Sequence, residues 1–176
     1  MKKIYILLTY TGTILSKIIK MFTKCEYTHS SIGLDKNLND LYSFGRLNPY
    51  NPFNGGFIKE GINIGTFKRF KNTKAEIYSL KVTEEQYEKI KSTIKYIENK
   101  SKKYKFNTLG LFAISINKKI KRKYTFYCAE FVRYVLKRSK IDIKKLPELI
   151  KPEDFKKLDG LKLIYSGTLK DYNRNK

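Results

Sequence analysis

The sequence is poor in the residues that build metal centres, disulfide frameworks and membrane spans. It holds two cysteines, Cys25 and Cys128, and a single histidine, His29. Two cysteines form no disulfide framework, and at most one bridge. Reduced thiols in a cytoplasm fit them better. No Cys–His cluster has zinc-ligand spacing, so no metal is expected. No glycine-rich phosphate loop opens a helix and no dinucleotide fingerprint occurs, so no cofactor is expected. Gly55 and Gly56 read as a turn. No apolar run approaches the roughly 20 residues needed to cross a bilayer. Lys2 and Lys3 ahead of Ile4–Leu8 imitate an export signal, but Thr9, Thr11, Gly12 and Thr13 interrupt it. No small-residue cleavage site follows. These features predict a cytoplasmic chain. Acidic residues are scarce as well: 16 Asp and Glu stand against 38 Lys and Arg, a formal charge of +22.

What is present suits one folded domain over residues 1–176. A chain of 176 residues buries roughly 70% of its unfolded surface. Hydrophobic residues make up 41% and aromatics 14%, too apolar for a disordered chain. The basic surface attracts polyanions: nucleic acid, anionic lipid or cell-wall polymer. The lysines are scattered, however, and an AT-rich codon bias would produce the same surplus. No nucleic-acid motif accompanies the charge, so no specific nucleic-acid partner is expected.

Hydrophobic periodicity predicts alternating strands and helices. Lys3–Thr9 reads as a buried strand. Ile14, Leu15, Ile18, Ile19 and Phe22 recur at helical spacing, with Lys17, Lys20 and Lys24 on another side. That helix either packs on the core or lies on a membrane surface. His29–Leu34 and Leu41–Phe44 read as antiparallel strands across a turn. Residues 45–65, with Pro49, Pro52 and several glycines, read as an irregular loop over the site. Ala75–Val82 is a strand, and Thr83-Glu84-Glu85-Gln86 fits a capping box opening the next helix. Leu109–Ile116 reads as a short apolar helix and Leu161–Tyr165 as a last strand. Phe131, Val132, Val135 and Leu136 place Cys128 in the first turn of a helix.

A thiol there is chemically privileged. Unpaired N–H groups and the helix dipole stabilise the thiolate, and the same N–H groups can serve an oxyanion. Glu130 suits the dipole as a first-turn carboxylate. A thiolate nucleophile needs a base, and His29 is the only histidine. Cys25, in a loop after a basic helix, is the weaker nucleophile.

The segments Tyr27-Thr28-His29-Ser30-Ser31-Ile32-Gly33-Leu34 and Phe126-Tyr127-Cys128-Ala129-Glu130-Phe131-Val132 resemble two signatures of the NlpC-type papain-like superfamily. The histidine segment comes first, as in its permuted branch, which includes the YiiX/YebB-like proteins and the lecithin–retinol acyltransferase-like enzymes. The resemblance implies an α+β fold: a circularly permuted papain-like domain, with an antiparallel sheet packed against helices including the cysteine-bearing one. It implies a cysteine hydrolase or acyltransferase acting on an amide or ester through an acyl-thioester. Its substrate would be a peptidoglycan-like peptide or a lipid-linked acyl group. Cys128 would be the nucleophile and His29 the base. The third polar residue would be Ser43, or Tyr42 through its hydroxyl, on the strand after the histidine. By position, Arg46 in the turn beyond that strand either clamps a carboxylate or phosphate or is one more exposed cation; Tyr42 is a candidate for the substrate pocket, and Tyr127 and Tyr124, flanking the nucleophile, either line that pocket or simply pack. The alternative is a non-catalytic module that keeps the fold and binds an anionic partner.

Overall fold

The computed structural model describes residues 1–48 and 51–174, excepting the side chains of residues 51–53, 115, 173 and 174. Pro49, part of the expected loop, lies outside the described residues. In chain order the elements are β1 (Lys2–Tyr10), α1 (Ile14–Thr23), β2 (His29–Gly33), β3 (Leu41–Asn48), β4 (Asn51–Glu60), α2 (Gly65–Arg69) and β5 (Lys74–Val82). Then come α3 (Glu84–Asn99), β6 (Lys105–Phe106), α4 (Thr108–Ala113), β7 (Thr125–Phe126), α5 (Cys128–Arg138) and β8 (Lys162–Thr168).

Six strands form one sheet in the order β4-β3-β2-β1-β5-β8, every neighbouring pair antiparallel. With helices packed against it, this is the expected α+β arrangement. β1 is apolar from Ile4 to Leu8 because the sheet is covered on both faces. Ile4, Ile6 and Leu8 join a core with Ile90, Ile94 and Ile97 of α3 and with Phe131, Val132, Val135 and Leu136 of α5. The intervening Tyr5 and Leu7 join a smaller core with Leu38, Leu41, Phe67, Ile77 and Leu169. This is the period-2 alternation of a strand, with both sides buried.

The local signals account for the helices. Thr83 accepts from the Gln86 N–H while the Gln86 side chain accepts from the Thr83 N–H, completing the capping box of α3. Thr13 likewise caps α1, accepting from the Ser16 N–H at 3.2 Å. α1 ends at Lys24, whose backbone is left-handed at φ 56°.

Residues 45–65 depart from the expected loop. The strand begun at Leu41 runs on to Asn48, and β4 returns beside it, with Ser43 opposite Ile58 and Arg46 opposite Gly55. β4 is an edge strand, where glycine and a proline that donates no hydrogen bond are tolerated. The glycines also serve packing: a Cβ on Gly55 would lie 2.7 Å from Cβ of Phe106 and 3.0 Å from the Gly45 carbonyl oxygen. That close approach seats the small parallel pair β6–β7 against the sheet edge. The pair closes the excursion through α4 and returns the chain directly to Cys128.

Candidate active site

Cys128 is the first residue of α5, as expected from the apolar spacing behind it. Glu130, half-buried one turn in, accepts the Tyr127 N–H at 3.3 Å and so fastens the start of the helix. α5 packs on β2 and β3, which brings its first turn against the beginning of β2. There the Thr28 N–H donates to the Thr9 carbonyl. The Glu26 and Tyr27 N–H groups donate to one Glu153 oxygen, at 2.7 and 3.1 Å. The chain entering His29 is therefore tied down.

Cys128 and the His29 imidazole line the same cleft, and each shifts the other's titration. The ring is held by a carboxylate. His29 Nε2 lies 3.0 Å from Oε1 and 3.3 Å from Oε2 of Glu60. Glu60, the last residue of β4, is itself only 8% exposed. Its Oε2 accepts a short hydrogen bond from the Ser31 hydroxyl. With Nε2 engaged by Glu60, Nδ1 is the nitrogen left for the thiol.

The electrostatics favour an ion pair. Burial alone would push the His29 imidazole down, but the Glu60 carboxylate and the Cys128 sulfur outweigh it and raise it to about 10. Burial would push the Cys128 thiol up. The His29 hydrogen bond and charge, joined by the Ser30 and Ala129 N–H groups, bring it below its ordinary value instead. Cys25 behaves oppositely: burial and the nearby Glu153 raise it, and its sulfur lies 3.4 Å from the Thr23 carbonyl. Both cysteines are free.

Cys128, His29 and Glu60 open onto one cleft of about 670 Å³ including its mouth. Its other walls are chiefly apolar: Leu15 and Ile19 of α1, Phe44 and Ile58 of the β3–β4 hairpin, Phe67 of α2 and Leu111 of α4. Arg46 also lines it. Its guanidinium lies 5.9 Å from the Phe70 ring centre, and that of Arg69 lies 5.4 Å from the same centre. Partial burial, then the neighbouring Arg69 charge, lower its pKa.

Four residues expected at the site are placed elsewhere. Ser43 does not back the imidazole; fully buried, its hydroxyl donates to the Ser30 carbonyl at 2.7 Å. That bond ties β3 to β2, and the partner of His29 is Glu60, one strand further on. Tyr42 lies off the cleft, its ring stacked on Phe57 at 6.1 Å. Tyr127 is 2% exposed, and its hydroxyl donates inward to the Ile150 carbonyl at 3.0 Å. Tyr124 is also off the cleft, with the Lys103 ammonium 4.0 Å from its ring centre. Glu60 and Ser31 were not singled out from the sequence. The available signal was the β-favouring run Phe57-Ile58-Lys59 between Gly56 and Gly61, which ends on the acid.

Among the described residues no group of three or more His, Cys, Asp and Glu could hold a metal ion. No helix there is long and apolar enough to cross a membrane. No family model matches the chain, and no curated protein matches it.

Proposed function

We propose that the protein is a cysteine-dependent hydrolase or acyltransferase that cleaves an amide or ester through an acyl-thioester. The observation that carries this reading is His29, held by the Glu60 carboxylate, on the same apolar cleft that Cys128 lines at the start of its helix. A nucleophile, a base and an orienting group in this order make up the general device for activating a weak nucleophile. The order of the two segments, histidine strand before cysteine helix, supports membership of the permuted NlpC-type papain-like branch.

In this reading the Cys128 thiolate attacks the substrate carbonyl carbon. Its sulfur–carbon bond forms as the carbonyl π electrons move to oxygen. When the tetrahedral adduct collapses, the carbon–nitrogen or carbon–oxygen bond breaks, and the His29 imidazolium gives its proton to the departing amine or alcohol. The imidazole, now neutral, takes a proton from water or from an acceptor nucleophile as that group attacks the thioester; the carbon–sulfur bond then breaks and returns the Cys128 thiolate beside the imidazolium. Glu60 keeps the ring oriented and stabilises its charged form. The apolar walls favour an acyl chain over a polar peptide, and Arg46 suits a substrate that carries a carboxylate or phosphate.

Alkylation with iodoacetamide over a pH series, read by mass spectrometry, tests this. Cys25 serves as the internal reference. Cys128 is expected to react at least about tenfold faster at neutral pH. Its rate should hold as pH falls below the ordinary thiol range, and His29→Ala should abolish both features. Equal rates for the two cysteines, or a Cys128 rate indifferent to His29→Ala, would overturn the proposal.

A further inference from the structure

α1 is oriented unlike an ordinary surface helix. Its buried positions are Ser16, Ile19 and Thr23. The opposite, outward direction carries Ile14 and Met21, 80% and 67% exposed. These two are seven residues apart and so share a face, and Lys17, Lys20 and Lys24 stand exposed beside them. A helix packed on a core normally points its polar residues outward. Here the buried face holds two hydroxyl residues and the outer face is apolar.

The neighbouring α4 segment repeats the pattern. Leu109 is 57% exposed and Ile116 64%. Phe112 meets Phe22 of α1 edge-on at 5.5 Å, so the two apolar surfaces adjoin. The same two helices wall the cleft through Leu15, Ile19 and Leu111. The charge is arranged to match. No aspartate or glutamate occurs from Met1 to Cys25 or from Asn99 to Ala129, the two stretches that contain α1 and α4. The second includes the exposed basic run Lys118–Lys123, of which Lys119 pairs with Glu148 from outside the stretch.

We infer that the α1–α4 face docks on an anionic lipid surface, with Ile14, Met21, Leu109 and Ile116 entering the headgroup boundary and the flanking lysines meeting lipid phosphates. Apolar side chains flanked by lysine, on stretches that contribute no acid of their own, are what an interfacial helix requires. A protein partner would be expected to meet the same face with carboxylates, and a second copy would bring equal positive charge against it. Docking would set the cleft beside the bilayer. It rests on surface features alone and does not depend on the thiol chemistry.

Co-sedimentation with phosphatidylcholine vesicles, with and without phosphatidylglycerol, tests the inference. The wild type is expected to bind the anionic vesicles about tenfold or more tightly than the neutral ones. Ile14→Ser/Met21→Ser/Leu109→Ser, which keeps every charge, should weaken that binding by about tenfold or more. The chain has no tryptophan, so Met21→Trp supplies a background-free reporter whose emission should shift to the blue on anionic vesicles. Cys128→Ser should bind as the wild type does, which separates this inference from the proposed activity. Three outcomes would overturn it: no vesicle binding, a triple variant that binds as well as the wild type, or a self-association of the wild type that the triple variant abolishes.

Discussion

Glu60 is the residue on which the chemistry of His29 turns, and it is testable through the scarcity of histidine. His29 is the only imidazole in the chain, so its ring resonances can be followed by NMR without ambiguity. The folded ring has its pKa raised, so it stays charged through neutral pH and loses its proton only on the alkaline side. Glu60→Gln keeps the shape and removes the charge. It is expected to lower the His29 midpoint by about 1–3 units. Ser43→Ala should leave that midpoint in place and cost about 1 kcal/mol of stability, since Ser43 bonds the Ser30 carbonyl instead. A titration that moved with Ser43→Ala and not with Glu60→Gln would reverse the assignment. Cys128 and His29 were legible because one begins an apolar helix and the other is unique. Glu60 was not, because nothing local separates it from the other acids. Its role exists only after β4 pairs with β3 and carries it back across the sheet to β2.

Elements with a strong period were read well from sequence; the β3–β4 hairpin was not. α3 announces itself by its capping box and its Ile90-Ile94-Ile97 face, and β1 by an unbroken apolar run. Residues 45–65 carry the glycine, asparagine and proline content of a loop, yet an edge strand can bear it. Here Gly55 answers a steric demand. Gly55 faces Phe106 at a distance no Cβ would allow, whereas a Cβ on Gly56 would meet nothing nearer than the Tyr104 carbonyl oxygen at 3.4 Å. Gly55→Ala is therefore expected to force β6 from the sheet edge and cost about 1–3 kcal/mol. For a chain of this size that is a fall of roughly 2–12 °C in Tm. Gly56→Ala should cost much less. Paired thermal melts check this, and equal losses would mean that the glycines answer a backbone preference of the strand and not the seat of β6. Gly55 also lines the cleft, so the same substitution should slow Cys128 alkylation.

At the scale of the whole molecule, the question is whether the +22 charge is diffuse drift or a directed surface. Composition alone left both readings standing, because the lysines are spread along the chain. It is the acids that are unevenly placed. α3 balances its lysines locally, with Lys91 on Glu88 at 3.1 Å and Lys95 on Glu98 at 2.9 Å. The acid-free stretches around α1 and α4 have no such partners within themselves, though Lys119 meets Glu148 from elsewhere in the chain. Like charges gathered on one side repel within the folded state, and salt screens that repulsion. The Tm should therefore rise between low and moderate salt, against the weakening expected of paired surface charges. Neutralising a cation on the acid-free side should stabilise at low salt: Lys17→Gln and Lys118→Gln together are expected to gain a few tenths of a kcal/mol to about 1 kcal/mol. Lys91→Gln, which breaks an exposed helix pair, should instead lower Tm slightly. Calorimetry at two salt concentrations separates these cases. If all three substitutions shift Tm alike, the charge is evenly felt and owes nothing to placement. If the signs divide as stated, the fold bears a standing electrostatic cost on the face that carries α1. A surface kept at such a cost is one on which an anionic partner would relieve the strain.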